Sequence, residues 1–163
     1  MDSIAGTLSP ETQGQLRSLV HELLEANQHV NLTSIRDPDE AWIKHIGDSL
    51  QALQLGLFDV PARMVDIGTG AGFPGLPILI ARPQLKMTLL ESTGKKCAYL
   101  KSVATKLGLK VSVLSDRAER AGQSPVYRAR YHLATVRAVG KLSEVCELAL
   151  PLLLVGGLSL IHI

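Results

Sequence analysis

Apolar residues recur at helical spacing through the first third of the chain, then give way to short apolar runs alternating with further helical stripes. Leu16, Leu19, Val20, Leu23 and Leu24 share one helical face, and Ser9-Pro10-Glu11 starts that helix, with Ser9 as the cap and Pro10 in the first position. A second start, Asp37-Pro38-Asp39-Glu40, has a capping carboxylate and an acidic residue three positions on. It leads into a stripe of Trp42, Ile46, Leu50 and Leu53. From residue 62 onward, strand patterns near 62–67, 86–91, 110–114, 131–136 and 157–163 alternate with helices. One helix puts Cys97, Leu100, Val103, Ala104 and Leu107 on one face and ends at Gly108; another, over about 140–150, aligns Leu142, Val145, Cys146 and Ala149. This alternation predicts an α/β fold with a mostly parallel sheet covered on both faces. Residues 1–58 form a helical N-terminal extension packed on a core of residues 59–163, within a single domain.

Composition narrows the setting. The chain has 163 residues, 46% hydrophobic and 20% charged, which suits one soluble domain with a single substantial core. Cys97 and Cys146 lie far apart without metal-type spacing, and no signal peptide opens the chain, so no metal site and a cytoplasmic location are expected. The apolar stretch from Leu148 to Ile163 is broken by Pro151, Gly156 and Gly157, which predicts the end of a helix and then a buried strand, not a membrane span. A net charge of +2 says little about partners, but its distribution says more. Lys95, Lys96, Lys101 and Lys106 gather on one helix, and Arg117, Arg120, Arg128 and Arg130 fall in later loops. Lys95 and Lys96 in a first helical turn oppose the helix dipole unless something negative neutralises them. RNA phosphate would do so; a solvated basic face is the competing reading.

The chemistry concentrates in Asp66-Ile67-Gly68-Thr69-Gly70-Ala71-Gly72-Phe73-Pro74-Gly75, where a strand delivers an acidic residue into a glycine-rich turn that opens a helix. Gly68, Gly70 and Gly72 bring bare backbone beside a small polar ligand, the pattern of a cofactor cradle. A dinucleotide fingerprint requires a glycine where Phe73 stands. A carboxylate at Asp66 also sits poorly beside a pyrophosphate, whereas it could orient the ammonium of an amino-acid-like ligand such as S-adenosylmethionine. The Thr93-Gly94-Lys95-Lys96 stretch fails as a phosphate loop, with Leu89 in place of the first glycine.

Residues ending the other strands should border the same ligand. Glu91 closes the second strand, placed to accept from two ribose hydroxyls, and Ser115-Asp116-Arg117-Ala118-Glu119 follows the third. The fourth strand ends in Thr135-Val136-Arg137-Ala138, without the acidic or Asn residue, prolines and aromatic that serve exocyclic-amine methylation, and neither cysteine fits a cytosine-carbon nucleophile. That leaves an acceptor that is already nucleophilic, which guanine N7 would satisfy with an in-plane lone pair and no proton to remove. No general base is then needed, and no catalytic residue is assigned. Arg137 would orient the base or an anionic group, or form a structural salt bridge. His45 and Asp48, one helical turn apart, either act together at a site or satisfy each other.

Three stretches together resemble the RsmG family, also called glucose-inhibited division protein B. They are Asn31-Leu32-Thr33-Ser34-Ile35-Arg36-Asp37-Pro38, His45-Ile46-Gly47-Asp48-Ser49-Leu50 and the glycine motif from Asp66 to Gly75, and the match continues through Leu90-Glu91-Ser92, Gly94-Lys95-Lys96 and Val136-Arg137-Ala138. The resemblance implies a Rossmann-like S-adenosylmethionine-dependent methyltransferase that modifies guanine N7 in a loop of bacterial 16S ribosomal RNA. It implies cofactor contacts at Gly68, Phe73, Ala118, Glu119 and Arg137, joining Asp66, Gly70, Gly72 and Glu91. It also brings His45 and Asp48 to the border of the cofactor and RNA cleft, where Lys95, Lys96 and Arg137 are the further candidates for RNA contact. The expected partner is 16S ribosomal RNA or the assembling small subunit, with the protein a monomer. The pattern departs at the end, where the lysine-bearing motif and terminal strand pair of the family are replaced by Leu158-Ser159-Leu160-Ile161-His162-Ile163, so the chain reads as truncated after its fifth strand, with an exposed apolar edge. The alternatives are a cofactor- or RNA-binding chain without turnover, or a methyltransferase acting on a small molecule or protein.

Overall fold

The computed structural model describes residues 4–137 and 141–162. Ala138, which ends the Val136-Arg137-Ala138 motif, Gly140, where the helix expected over 140–150 begins, and Ile163, last in the expected fifth strand, lie outside the described residues. A short helix α1 (Ile4–Thr7) precedes α2 (Pro10–Ala26), whose cap Ser9 accepts from the Thr12 N–H. Asp37 caps α3 (Pro38–Ala41) by accepting from the Glu40 N–H at 2.8 Å. A π-helical segment, Trp42–Gly47, then runs directly into α4 (Asp48–Gln51) and a 3-10 turn, Ala52–Leu55.

The rest alternates strand and helix: β1 (Arg63–Ile67), α5 (Gly75–Ala81), β2 (Lys86–Glu91), α6 (Gly94–Lys106), β3 (Val111–Ser115), α7 (Ala118–Gln123), β4 (Tyr131–Arg137), α8 (Leu142–Ala149) and β5 (Leu153–His162). The five strands make one wholly parallel sheet in the order β3-β2-β1-β4-β5. The order reverses between β1 and β4, so a ligand crevice is expected outside their carboxyl ends. Near-continuous burial along β1 and β4 is what a strand covered on both faces requires.

One face carries Met64, Met87, Leu89 and Leu133 and is covered by Leu16, Leu19 and Leu23 of α2, Leu76 of α5 and Leu100 and Val103 of α6. The N-terminal helices thus share a continuous core with the sheet. The other face carries Val65, Ile67, Leu90, Ala134 and Val136 and is covered by Ala121 of α7 and Val145 and Ala149 of α8. Among the described residues no helix is long and apolar enough to cross a membrane.

Three packing expectations need correction. Leu142 opens α8 but is exposed, and Cys146 is only half-buried, so the inward stripe of that helix is Val145 and Ala149. Trp42 is also half-buried, its ring covered by the Arg17 guanidinium at 4.8 Å. The last strand starts at Leu153, not at 157. Leu153 pairs with Tyr131 and Leu158 with Leu133, so the intervening residues bulge out of register around Gly156, at φ +82°, and Gly157. A side chain at Gly157 would press on the Leu154 and His132 carbonyls, which is why the bulge closes on a glycine. Along β5, at an edge of the described sheet, Leu158 is half exposed.

Candidate functional site

The glycine turn after β1 is pinned to the neighbouring strand, with Gly68 and Thr69 N–H both donating to the Leu90 carbonyl at 2.9 and 3.2 Å. Gly68, Gly70 and Gly72 all have positive φ, at +64°, +60° and +96°. They do different work. Gly68 is exposed and Gly70 half-buried, and a Cβ at Gly70 would approach only the Gly68 carbonyl, at 3.9 Å. Gly72 is buried against Leu76, so a side chain there collides with the core of α5. Bare backbone faces open space at Gly68 and Gly70; Gly72, expected beside a ligand, is a packing glycine.

Asp66 also takes a different place from the one expected. It is fully buried, accepting from Thr135 Oγ1 on one oxygen (2.8 Å) and from Thr69 Oγ1 (2.5 Å) and the Gly75 N–H (2.9 Å) on the other. Burial lifts its carboxyl from 3.8 to about 6, although the three donors and the Arg137 charge pull it back. The carboxylate therefore ties β1, β4 and the start of α5 together beneath the turn, and direct contact with a ligand ammonium does not match this burial.

Around the turn, the carboxyl ends of β1, β2 and β3 form a cleft that brings together Gly68, Glu91, Ala118 and Glu119, four of the residues expected at a cofactor. Glu91 accepts from the Gly70 N–H at 3.0 Å and the Thr93 N–H at 2.8 Å, one on each oxygen, and each oxygen retains a further lone pair. The Cys97 thiol donates to the Glu91 carbonyl at 3.1 Å, so this buried cysteine is a structural contact.

At the end of β4 a second cavity, of about 470 Å³, is bordered by Asp48, Pro74, Thr135, Arg137 and Leu160. Arg137 donates to Asp48 at 3.2 Å and to His45 Nδ1 at 3.3 Å. A guanidinium can only donate, so Nδ1 accepts and the imidazole proton sits on Nε2, which bonds Thr33 Oγ1 at 2.9 Å. Burial holds the His45 pKa below 6.5, reinforced by Arg137, while Asp48 and Glu40 pull it upward. His45 is accordingly a neutral ring with both nitrogens engaged. Phe73 stacks on it with centroids 4.7 Å apart and planes at 18°, so this buried phenylalanine ring supports His45 from behind the turn.

Asn27, just past the end of α2, was not singled out by sequence reasoning, yet it organises the Asn31-Leu32-Thr33-Ser34 loop. Its side chain donates to the Thr33 and Ile35 carbonyls and accepts from the Leu32 and Thr33 N–H groups. Asn31 itself is exposed. The available signal was an Asn at a helix end, a position that favours local backbone bonds. Thr135, the Asp66 partner from β4, carried no such mark. Lys95 and Lys96 open α6 without an acidic residue in its first turn, and Lys95 borders a separate cleft with Glu22, Glu25 and His29. Lys106 is paired to Glu22 at 2.5 Å.

Comparison with known proteins adds an independent line. A family model described as rRNA small subunit methyltransferase G (GidB) matches residues 12–162. Curated proteins named ribosomal RNA small subunit methyltransferase G are similar along most of the chain. The one from Lactobacillus delbrueckii subsp. bulgaricus is 44% identical over 153 residues, covering 92% of this chain and 64% of that protein. The Synechococcus elongatus protein is 45% identical over 156 residues, covering 94% and 64%. The chain thus spans a little under two thirds of the length of these relatives. Among solved structures, the YcgJ protein of Bacillus subtilis has a TM-score of 0.58 at 20% identity, covering 70% of this chain and 49% of that one. The PH0226 protein of Pyrococcus horikoshii has a TM-score of 0.60 at 12% identity, covering 84% and 64%. A Methanococcus maripaludis structure provisionally assigned as an S-adenosyl-L-methionine-dependent methyltransferase has a TM-score of 0.57 at 15% identity, covering 76% and 59%. At these identities the likeness is one of fold.

Proposed function

The chain belongs to the rRNA small subunit methyltransferase G family, and from that membership we propose that it is an S-adenosylmethionine-dependent methyltransferase of small-subunit ribosomal RNA. The finer reading is methylation of guanine N7 in a loop of bacterial 16S RNA. What carries it is the family match together with the Arg137, Asp48 and His45 cluster at the carboxyl end of β4, on the side of the sheet where the glycine turn opens.

The cleft residues fit the cofactor. Gly68 and Gly70 offer backbone without side chains, Glu91 would accept from ribose hydroxyls through its remaining lone pairs, and Ala118 and Glu119 would flank the adenine end. Bound there, S-adenosylmethionine would supply a methyl group on a positively charged sulfur. The chain's own residues then have to position an acceptor. Arg137 has N–H groups beyond the two used on Asp48 and His45, and these would orient the guanine or its phosphate. Asp48 and His45 would hold the guanidinium in place, and His45, with no free lone pair on its ring, is not arranged as a general base. Guanine N7 needs none. Alignment of the reactants is the main source of acceleration in this scheme, worth up to about 7–11 kcal/mol in intramolecular models. Lys95 and Lys96 would meet RNA phosphates, and the working form is a cytoplasmic monomer on 16S RNA or the assembling subunit.

The test is transfer of labelled methyl to deproteinised small-subunit RNA and to assembled subunits, followed by mapping of the modified base. Label at a guanine N7 is the expected result. Label on a protein or small molecule instead supports the alternative methyltransferase, and cofactor binding without transfer to any acceptor supports a chain without turnover.

A further inference from the structure

At the amino end of the sheet, opposite the glycine turn, every one of the four strands β3, β2, β1 and β4 begins with a basic residue at or next to its first position. Arg63 of β1 is in register with Lys86 of β2. The pairing of Met87 with Val111 sets Lys110 level with Lys86, and that of Met64 with Leu133 sets His132 level with Arg63. Registered residues of parallel strands project from the same face, so Lys110, Lys86 and Arg63 form a row of cations about 10 Å long at ordinary strand spacing, continued by His132, whose Nδ1 accepts from the Arg63 backbone N–H at 3.1 Å. Arg130, just before β4, adds a further cation, and all five are exposed.

Lys110, Lys86, Arg63 and Arg130 rim a cleft of about 840 Å³ on the face covered by α7 and α8. With only six residues, α7 is about 9 Å long and leaves this end of the face open. Thr88, Ser112 and Tyr131 line the cleft, along with the half-buried Tyr127, and none of its lining residues is acidic.

Five cations elsewhere have carboxylate partners, Lys44 with Glu40, Arg82 with Asp59, Lys106 with Glu22, Arg120 with Asp116 and Arg137 with Asp48, while others such as Lys95, Lys96 and Lys101 form no ion pair among the described residues, without standing in register in one cleft. Among the described residues, none of Arg63, Lys86, Lys110 and Arg130 forms an ion pair, and Lys110 makes none with Glu11 of the adjoining cleft. Like charges in register on adjacent strands cost stability that a bound polyanion would restore.

We propose that this cleft is a second RNA-backbone site, which grips phosphates of the substrate RNA remote from the base being methylated. The inference rests on the RNA reading given above. Arg63 lies five residues along β1 from Gly68, about 17 Å at the rise of an extended strand, a span that the stem flanking a target loop can cover.

The test is the salt dependence of binding to deproteinised small-subunit ribosomal RNA. In the triple variant Lys86→Gln, Lys110→Gln, Arg130→Gln, the slope of log affinity against log salt becomes shallower by about 2–3, at roughly 0.7–0.9 per lost phosphate contact. S-adenosylmethionine affinity stays unchanged. A control that removes the paired cations Lys44, Arg82 and Arg120 leaves the slope near its original value. An unchanged slope in the first triple variant, or an equal change in the control, overturns the proposal. If the triple variant loses binding to polyglutamate but not to RNA, the cleft serves an acidic protein instead and the proposal also falls. Absence of salt-dependent RNA binding in the unmodified chain would instead sink the RNA reading itself.

Discussion

Asp66 lies beneath the glycine turn with all its protein partners on different segments: Thr69 in the turn, Gly75 opening α5 and Thr135 on β4. Removing the carboxylate orphans a buried N–H and two hydroxyls, each worth about 1–3 kcal/mol when left unpaired. Asp66→Ala should therefore lose roughly 3 kcal/mol or more in urea unfolding, whereas Asp66→Asn, whose amide can donate to Thr135 while its oxygen keeps the other two bonds, should lose far less. The sequence marked Asp66 as important but not its direction. Whether a strand-end acid faces a ligand or the interior depends on a threonine 69 positions away, and nothing local announces that partner. Thr33 presents the same problem at the other site, because only the fold brings it to His45. Thr33→Val leaves His45 Nε2 without its acceptor and loosens the ring that receives Arg137. It should lower kcat/KM for RNA methylation by about tenfold, the equivalent of ~1.4 kcal/mol, with cofactor affinity intact. Thr33→Ser keeps the oxygen and should restore the rate; equal losses in both variants would remove the positioning role.

Elements were legible where their signals are local. Ser9 and Asp37 cap the helices they were expected to cap, and Gly108, at φ +64°, follows α6 as a left-handed terminus. The strand starts from β1 to β4 fell within a residue of the expected positions for the same reason: apolar runs bounded by turn residues. The Gly156–Gly157 bulge was not legible, because it is set against the Tyr131 and His132 carbonyls of a strand distant in the chain, and the π-helical stretch Trp42–Gly47 carries the same apolar stripe as an α-helix. Glycines divide along the same line. Gly72 combines a positive φ with a collision against Leu76, so Gly72→Ala should cost about 2–4 kcal/mol, in the range of other overpacked or strained core sites. Gly94, first in α6, has nothing within 4 Å of an added Cβ. Gly94→Ala should be neutral or stabilising by about 0.4–1 kcal/mol, through the lost freedom of the unfolded chain. Thermal melts of the two variants side by side check the contrast, and equal shifts would contradict it.

Across the whole molecule, the two buried titratable groups at the carboxyl end of the sheet drive stability in opposite directions with pH. Asp66 has its pKa raised in the folded state to about 6 from 3.8, so its contribution is fully present below about pH 3.8 and is lost as pH rises through about 6. Spanning that window, it amounts to something on the order of 3 kcal/mol for this wholly buried group. His45 has its pKa lowered from 6.5, so its contribution is present above pH 6.5 and is lost as pH falls toward the folded value. Between about pH 4 and 6.5 the two partly cancel, and the unmodified chain should show a shallow stability profile. Separating them exposes each slope. Asp66→Asn should become more stable as pH rises from 5 to 7, because only the His45 linkage remains, while His45→Gln should become less stable over the same interval. Urea unfolding of both variants at several pH values measures this, and parallel profiles would show that the two groups do not control the pH response. The opposition also bears on function, because Asp66 ties the turn, through Thr69, to Thr135 of β4 while His45 holds Arg137, only two residues further along that strand. A loss of methyl transfer on acidification at unchanged global stability that persists in Asp66→Asn and vanishes in His45→Gln would therefore trace to charging of His45 and release of Arg137.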